Sequence, residues 1–490
     1  MKAIMIQGTS SDVGKSVLST ALCRILANDG YKVAPFKSQN MALNSYITQD
    51  GGEIGRAQGV QAEAAKVIAT TDMNPILLKP KGEMISEVIL HGKHYANMDA
   101  LSYRENFVEE VMPEVRKALS RLESQFEVLV LEGAGSPAEI NLKSRDIANM
   151  RMAHETDAAV ILVADIERGG VFASLVGTLM LLDEEERVRV KGIIINKFRG
   201  MKELLTSGIE WLEEYTNIPV LGVIPYIDVQ IEAEDSMALS SLRLKKPLQN
   251  EFEMDVAVIR LPHISNFTDL DPIFEEPGVG VRFVSSLKEL KNPDLIIIPG
   301  TKNTVDDFIW LRETGLAQGI LHAAQNGCQI VGICGGYQML GEIIIDEQAI
   351  EGNGGVYMTL GLLPIETTFI PEKRTVQVTG TTSSGHAIQG YEIHLGRSQA
   401  TQPIQPFIQF DDERTDGVIT ETIIGTYLHG IFQNRHFTRH YFNELRQKKG
   451  LEIISEDVVS DFERREQAYE MLDQHVREHL DMEKLYSLIK

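Results

Sequence analysis

Continuous apolar runs rich in β-branched residues recur through the first half of the chain. They lie at Ala3–Gln7, Val33–Lys37, Val128–Glu132, Ala159–Asp165, Gly192–Asn196 and Pro219–Pro225, with helix-length segments alternating between them. Runs without polar alternation suit strands buried on both faces, and glycine or polar residues follow each one, so they read as strands of a parallel sheet. Parallel strands need helical crossovers that cover the sheet, which predicts a doubly wound α/β domain.

The pattern breaks at Leu242–Glu253, where LRLKKPLQNEFE is polar and carries Pro247, and it reads as a linker. Alternation restarts with Val256–Leu261, Val281–Val284, Leu295–Pro299 and Gln329–Ile333. A chain of 490 residues is too long for one core when domains usually run to about 100–200 residues. We therefore expect one α/β domain over residues 1–245, a second over 252–450, and a helical tail over 451–490. In the tail, Tyr469, Leu472, Val476 and Leu480 recur at helical spacing, which predicts a terminal helix docked on a domain.

Charge and cysteine usage narrow the function classes. A net charge of −23 argues against nucleic-acid binding, which needs clustered Lys and Arg, and any anionic substrate requires a locally positive pocket. Cys23, Cys328 and Cys334 make neither a disulfide framework nor a zinc-site spacing, which fits a reducing cytoplasm. The first apolar stretch breaks at Gln7, and no apolar run approaches the roughly 20 residues that span a bilayer. The expectation is a soluble cytoplasmic protein with no nucleic-acid, membrane or obligate protein partner.

Strand Ala3–Gln7 runs directly into Gly8-Thr-Ser-Ser-Asp-Val-Gly-Lys-Ser16, and VLSTALCRILA after it is amphipathic. A glycine-rich loop between strand and helix, ending in Gly-Lys-Ser, is a phosphate-binding P-loop, although the spacer between Gly8 and Gly14 has one residue more than usual. Backbone N–H groups and the helix N-terminus form the anion cradle, with Lys15 reaching the β/γ-phosphates. The expected ATP contacts are Thr9, Asp12, Val13, Gly14, Lys15 and Ser16. The Ser16 hydroxyl and Glu132, an acid closing VLVLE at the strand's C-terminal edge, are the expected Mg²⁺ ligands. Asp165 is placed similarly and is the weaker candidate. Asn196, closing GIIIN, is a candidate contact to the nucleotide base, with a plain strand-end turn as the alternative.

A second constellation lies in the other half. In Gly332-Ile-Cys334-Gly-Gly336, small residues flank a cysteine between an apolar strand and a helix, as a tight nucleophile elbow requires. The turn exposes the sulfur, and the helix N-terminus favours its thiolate. The Gly335 N–H and the Pro299-Gly300-Thr301 loop are the expected oxyanion donors. His429 in GTYLHGIF is the expected base, and Cys23 and Cys328 read as structural.

Together GICGG and YLHG resemble the class I glutamine amidotransferases, whose cysteine attacks the glutamine carboxamide, releases ammonia and leaves a glutamyl thioester for hydrolysis. The resemblance implies a flavodoxin-like fold for the second domain. Most members carry Glu two residues after the histidine to orient it. Here that position is Ile431, a departure shared by the branch that amidates corrin carboxylates, so the orienting group is not at its usual place. The first half is similar to that branch's ATPase domain, related to dethiobiotin synthetase, whose P-loop has the same long spacer.

Within the branch, the chain resembles the cobyric acid synthase family. The segments that carry this are QNMALNSYIT at Gln39–Thr48, EGAGSPAEINL at Glu132–Leu142, RDIANM at Arg145–Met150, DIERGGVFAS at Asp165–Ser174, PGTKNT at Pro299–Thr304 and GYEIHLGRS at Gly390–Ser398. Sister enzymes that amidate the a and c side chains differ at QNMALNS. The resemblance implies ATP- and glutamine-dependent amidation of the b, d, e and g carboxylates of adenosylcobyrinic acid a,c-diamide through acyl phosphates. Gln39, Asn40, Arg145 and Arg168 are the candidate substrate contacts, with helix-surface charges as the alternative for the two arginines, and because the acyl phosphate must meet ammonia before water, the two domains are expected to face each other across a sheltered cleft. The alternatives are amidation of cobyrinic acid at a and c or of another acid, and a nucleotide-switched binding ATPase. Such switches carry an early P-loop lysine, where this chain has Thr9-Ser10-Ser11, and have no use for Cys334.

Overall fold

The computed structural model describes residues 1–82, 85–99, 102–103, 107–228, 252–352 and 354–489. The expected linker falls, up to residue 251, outside them. Six strands form the first sheet in the order Val220–Pro225, Val190–Phe198, Ala159–Asp165, Lys2–Gly8, Val128–Glu132, Val33–Phe36, and every pairing is parallel. Successive side chains of a strand point to opposite faces, and both faces are covered here, which is why the runs are continuously apolar. Ile4, Ile6, Val130 and Val163 pack under helix Lys15–Asn28, while Met5, Leu129, Leu131 and Leu162 pack on the opposite side. Lys2–Gly8 is central, so the loop after it opens at the C-terminal edge with strands on either side, where open α/β sheets place ligands.

A second mostly parallel sheet has the order Val279–Val284, Met254–Ile259, Leu295–Ile298, Gln329–Ile333, Ile423–Thr426, Val418–Ile419, with only the last pairing antiparallel. Besides a two-stranded pair, Ser45–Ile47 with Glu53–Gly55, two further sheets have no counterpart among the continuous apolar runs. One is built on the antiparallel hairpin of Ile365–Thr382 and Ala387–Ala400, the other on Gln39–Met41, Ile76–Gly82, Ile85–Leu90 and Lys93–Asp99. In Ile365–Thr382 buried and exposed residues largely alternate, so no continuous apolar run marks it, whereas Ile76–Leu78 and Val88–Ile89 are buried on both faces in runs too short to stand out.

The terminal helix Asp461–His479 starts at a capping box of Ser460 and Glu463 and crosses back to the first half. Tyr469, Leu472 and Val476 join Leu18, Leu22 and Ile25 in one core, and buried Arg24 reaches Glu470 at 2.9 Å. The two halves also meet through buried charges: Lys373 lies 2.6 Å from Glu53, which Lys79 contacts at 2.7 Å, and Lys302 pairs with Glu87. Among the described residues no helix is long and apolar enough to cross a membrane.

Candidate active sites

The phosphate loop is held rigidly from below. Gly14 adopts φ 100, and a Cβ there would lie 2.2 Å from Asn196 Nδ2, so the position admits only glycine. Asn196 braces the loop by donating to the Val13 carbonyl at 2.8 Å. Lys15 spans the loop, donating to the carbonyls of Ser10 at 2.9 Å and Gly135 at 3.0 Å. The Thr9 N–H bonds to Val163, and Asp12, in the left-handed region, lies 3.6 Å from Arg168.

Glu132 gathers the charge. Its Oε1 accepts from Ser16 Oγ and from Lys37 Nζ, each at 2.9 Å, and its Oε2 accepts from Gln61 at 2.6 Å. Burial works against the carboxylate, yet Lys37 and these hydrogen bonds hold its pKa below the usual range. Lys37 and Gln61 escaped the sequence reading. Lys37 directly follows strand Val33–Phe36, which pairs with Val128–Glu132, so strand order would have revealed it. Asp165 pairs with Lys197 at 3.0 Å.

The candidate substrate residues do not gather at one point. Asn40 is buried and donates to Gln58 at 2.9 Å, and Gln39 accepts from Tyr103. Arg145 is exposed on the turn Lys143–Arg145, whereas exposed Arg168 stands beside the phosphate loop.

At the second site Cys334 sits between strand Gln329–Ile333 and helix Gly335–Leu340 with φ 53 and ψ −108, a conformation that costs a non-glycine residue of order 1–3 kcal/mol. The glycines make this turn fit: a Cβ at Gly336 would lie 1.9 Å from the Ile298 carbonyl oxygen, and one at Gly335 would lie 2.6 Å from Thr301 Cγ2. The Pro299–Thr301 loop therefore faces the elbow, and Gly300 packs on His429, leaving 2.9 Å between a Cβ and the ring. Buried Asp307 anchors this loop through the Thr301 hydroxyl at 2.5 Å and the His263 ring at 2.7 Å.

His429 is fully buried and stacks on Tyr391, with centroids 5.1 Å apart. Its Nδ1 bonds to Asp269 Oδ2 at 2.7 Å, and the Gly430 N–H donates to Asp269 Oδ1 at 2.8 Å. Asp269 is thus the orienting carboxylate that has no counterpart at Ile431, which is buried in the core. Burial opposes a charged imidazole, but Asp269 and then the Cys334 sulfur outweigh it and push His429 up to about 10. Nε2 has no hydrogen-bond partner among the described residues, and the Cys334 sulfur is among the groups that raise the imidazole's pKa. Cys334 Sγ lies 3.5 Å from the Ile393 carbonyl, on the strand that also carries Tyr391.

These features define the class: a P-loop nucleotide-binding domain joined to a class I amidotransferase domain. Residues 4–239 match the CobQ/CobB/MinD/ParA nucleotide binding domain, and residues 255–437 match the CobB/CobQ-like glutamine amidotransferase domain. The chain is 50% identical over 489 residues to the cobyric acid synthase of Geobacillus sp., covering 98% of this chain and 96% of that one. It is 51% identical to that of Anoxybacillus flavithermus, covering 98% and 95%, and 47% identical to that of Listeria monocytogenes, covering 100% and 97%. The chain belongs to the cobyric acid synthase family.

Proposed function

We propose that the protein amidates the b, d, e and g carboxylates of adenosylcobyrinic acid a,c-diamide to give adenosylcobyric acid, using ATP and glutamine, in cobalamin biosynthesis. Residues 1–245 form the amidoligase half and residues 252–450 the glutaminase half. The observation that carries this is the buried Cys334, His429 and Asp269 constellation in a chain whose other half presents a braced phosphate loop.

A carboxylate is a poor electrophile because its leaving group would be oxide. Phosphorylation by ATP makes phosphate the leaving group, and the loop N–H groups with Lys15 hold the nucleotide for that transfer. Lys37 adds a cation at the same sheet edge. The Ser16 hydroxyl and the Glu132 carboxylate converge to 2.9 Å as hard oxygen donors, which suits Mg²⁺. When bound there with the phosphates, Mg²⁺ would neutralise charge on the transferring group.

In the other half Asp269 fixes the His429 tautomer so that Nε2 takes the Cys334 proton. The thiolate attacks the glutamine carboxamide, and His429 returns the proton as ammonia leaves. Water then cleaves the thioester to glutamate, while ammonia displaces phosphate from the acyl phosphate. The Gly335 N–H and the Gly300 loop are the proposed oxyanion donors. The test is a substrate panel: with ATP and glutamine, the a,c-diamide should be amidated in preference to cobyrinic acid, and failure on the a,c-diamide overturns the reading.

A further inference from the structure

The segment QNMALNSYIT does more than distinguish relatives, because its second half lands on the glutaminase site. The Phe267 N–H donates to Asn44 Oδ1 at 3.1 Å, and the Ser45 N–H donates to Asn266 Oδ1 at 3.1 Å. This is a reciprocal pair of hydrogen bonds between the halves, with both asparagines buried. Asn266 stands at the start of the turn Phe267–Leu270 in the left-handed region, φ 52 and ψ 38, and its carbonyl accepts the Asp269 N–H at 3.1 Å. The turn so gripped carries the carboxylate that orients His429.

The grip comes from a fixed point. The Ser45 hydroxyl donates to Glu53 at 2.6 Å and receives Lys79 at 2.7 Å, inside the buried charge network that Lys373 also enters. Two residues on, Ile47 packs with Tyr391 and Ile393, one stacked on His429 and the other offering its carbonyl to Cys334. The Ile47 carbonyl also accepts from Gln377 at 2.6 Å.

We propose that Asn44 and Asn266 are positioning residues for glutamine hydrolysis: a clamp across the domain interface by which the amidoligase half holds Asp269 against His429. Ammonia release then depends on the seating of the half that consumes it. The inference rests on reading Cys334, His429 and Asp269 as the glutaminase site.

The test uses the full-length protein and two rates, glutamate formation from glutamine and ammonia-driven amidation of the a,c-diamide. Asn266→Gly keeps the left-handed backbone and removes the acceptor, while Asn44→Ala removes its counterpart. Each is expected to lower the glutaminase kcat about tenfold or more, the scale of one lost buried hydrogen bond, with KM for glutamine within about threefold. Ammonia-driven amidation should stay within about twofold of wild type, and Asn44→Asp, which keeps an oxygen for Phe267, should recover most of the glutaminase kcat. A wild-type glutaminase kcat in Asn266→Gly overturns the clamp, as does a parallel loss of ammonia-driven amidation. Cys334→Ala separates the two levels of the argument: if it still hydrolyses glutamine, the site reading itself falls, not the clamp alone.

Discussion

Replacing Asp269 with Asn tests the most specific electrostatic claim in the glutaminase half. The carboxylate accepts from two donors, His429 Nδ1 at 2.7 Å and the Gly430 N–H at 2.8 Å. An amide has one acceptor oxygen and an NH₂ group, so it can satisfy only one of them. If the oxygen stays with Gly430, the NH₂ faces Nδ1, which must then be the acceptor, and the proton moves to Nε2. In that tautomer the imidazole has no lone pair for the Cys334 proton. Asp269, and after it the Cys334 sulfur, hold the imidazolium against the cost of its burial. Breaking a buried charge pair costs about 3–5 kcal/mol, and at about 1.4 kcal/mol per tenfold the expected loss in glutaminase kcat/KM is roughly a hundredfold to a few thousandfold. Glutamate release measures it, with ammonia-driven amidation as the check on folding. Glutaminase activity within about threefold of wild type would refute the assignment of Asp269.

Lys37→Met should abolish amidation from glutamine and from ammonia alike while glutamine hydrolysis persists; ammonia-driven product at the wild-type rate would remove Lys37 from the phosphoryl-transfer site. The interface charges set a pH dependence. Burial opposes the Glu53 carboxylate, but Lys373 and Lys79 hold it at about 2, so its stabilising contribution is full above 4.5 and is lost as pH falls toward 2. In Lys373→Met the folded-state value moves back toward 4.5, so less stability is lost between pH 4.5 and 2, read as a shallower fall of the thermal midpoint over that range, and superimposable curves would contradict it. Leu472→Ala, at a fully buried position under the phosphate-loop helix, should destabilise by about 2–5 kcal/mol, and an unchanged thermal midpoint would contradict the tail's place in that core.

The strands around both sites were legible because a strand buried on two faces is a continuous apolar run, as Val128–Leu131 and Ile330–Ile333 are. The elbow was legible for a steric reason, since only glycine fits where Gly336 meets the Ile298 carbonyl. Asp269 was not, because it lies 160 residues from His429 in the short turn Phe267–Leu270, and only the fold brings the two together. Lys37 ends one of the apolar runs, but a lysine at a strand end ordinarily extends into solvent. Its pairing with Glu132 follows from which strands are neighbours, which local sequence does not state. QNMALNS stood out as a segment without a visible reason, and its Asn44 and Ser45 owe their place to an interface that forms only when both halves have folded.

The central claim is that one protein moves glutamine's amide nitrogen onto corrin carboxylates at the expense of ATP. Its most direct test supplies glutamine labelled at that nitrogen, with ATP and adenosylcobyrinic acid a,c-diamide, and follows the product by mass spectrometry. The account predicts label at the b, d, e and g positions, one phosphate released for each amide, and no labelled product without ATP or with Cys334→Ala. A corrin that acquires no label from glutamine, or acquires it without ATP, would contradict it.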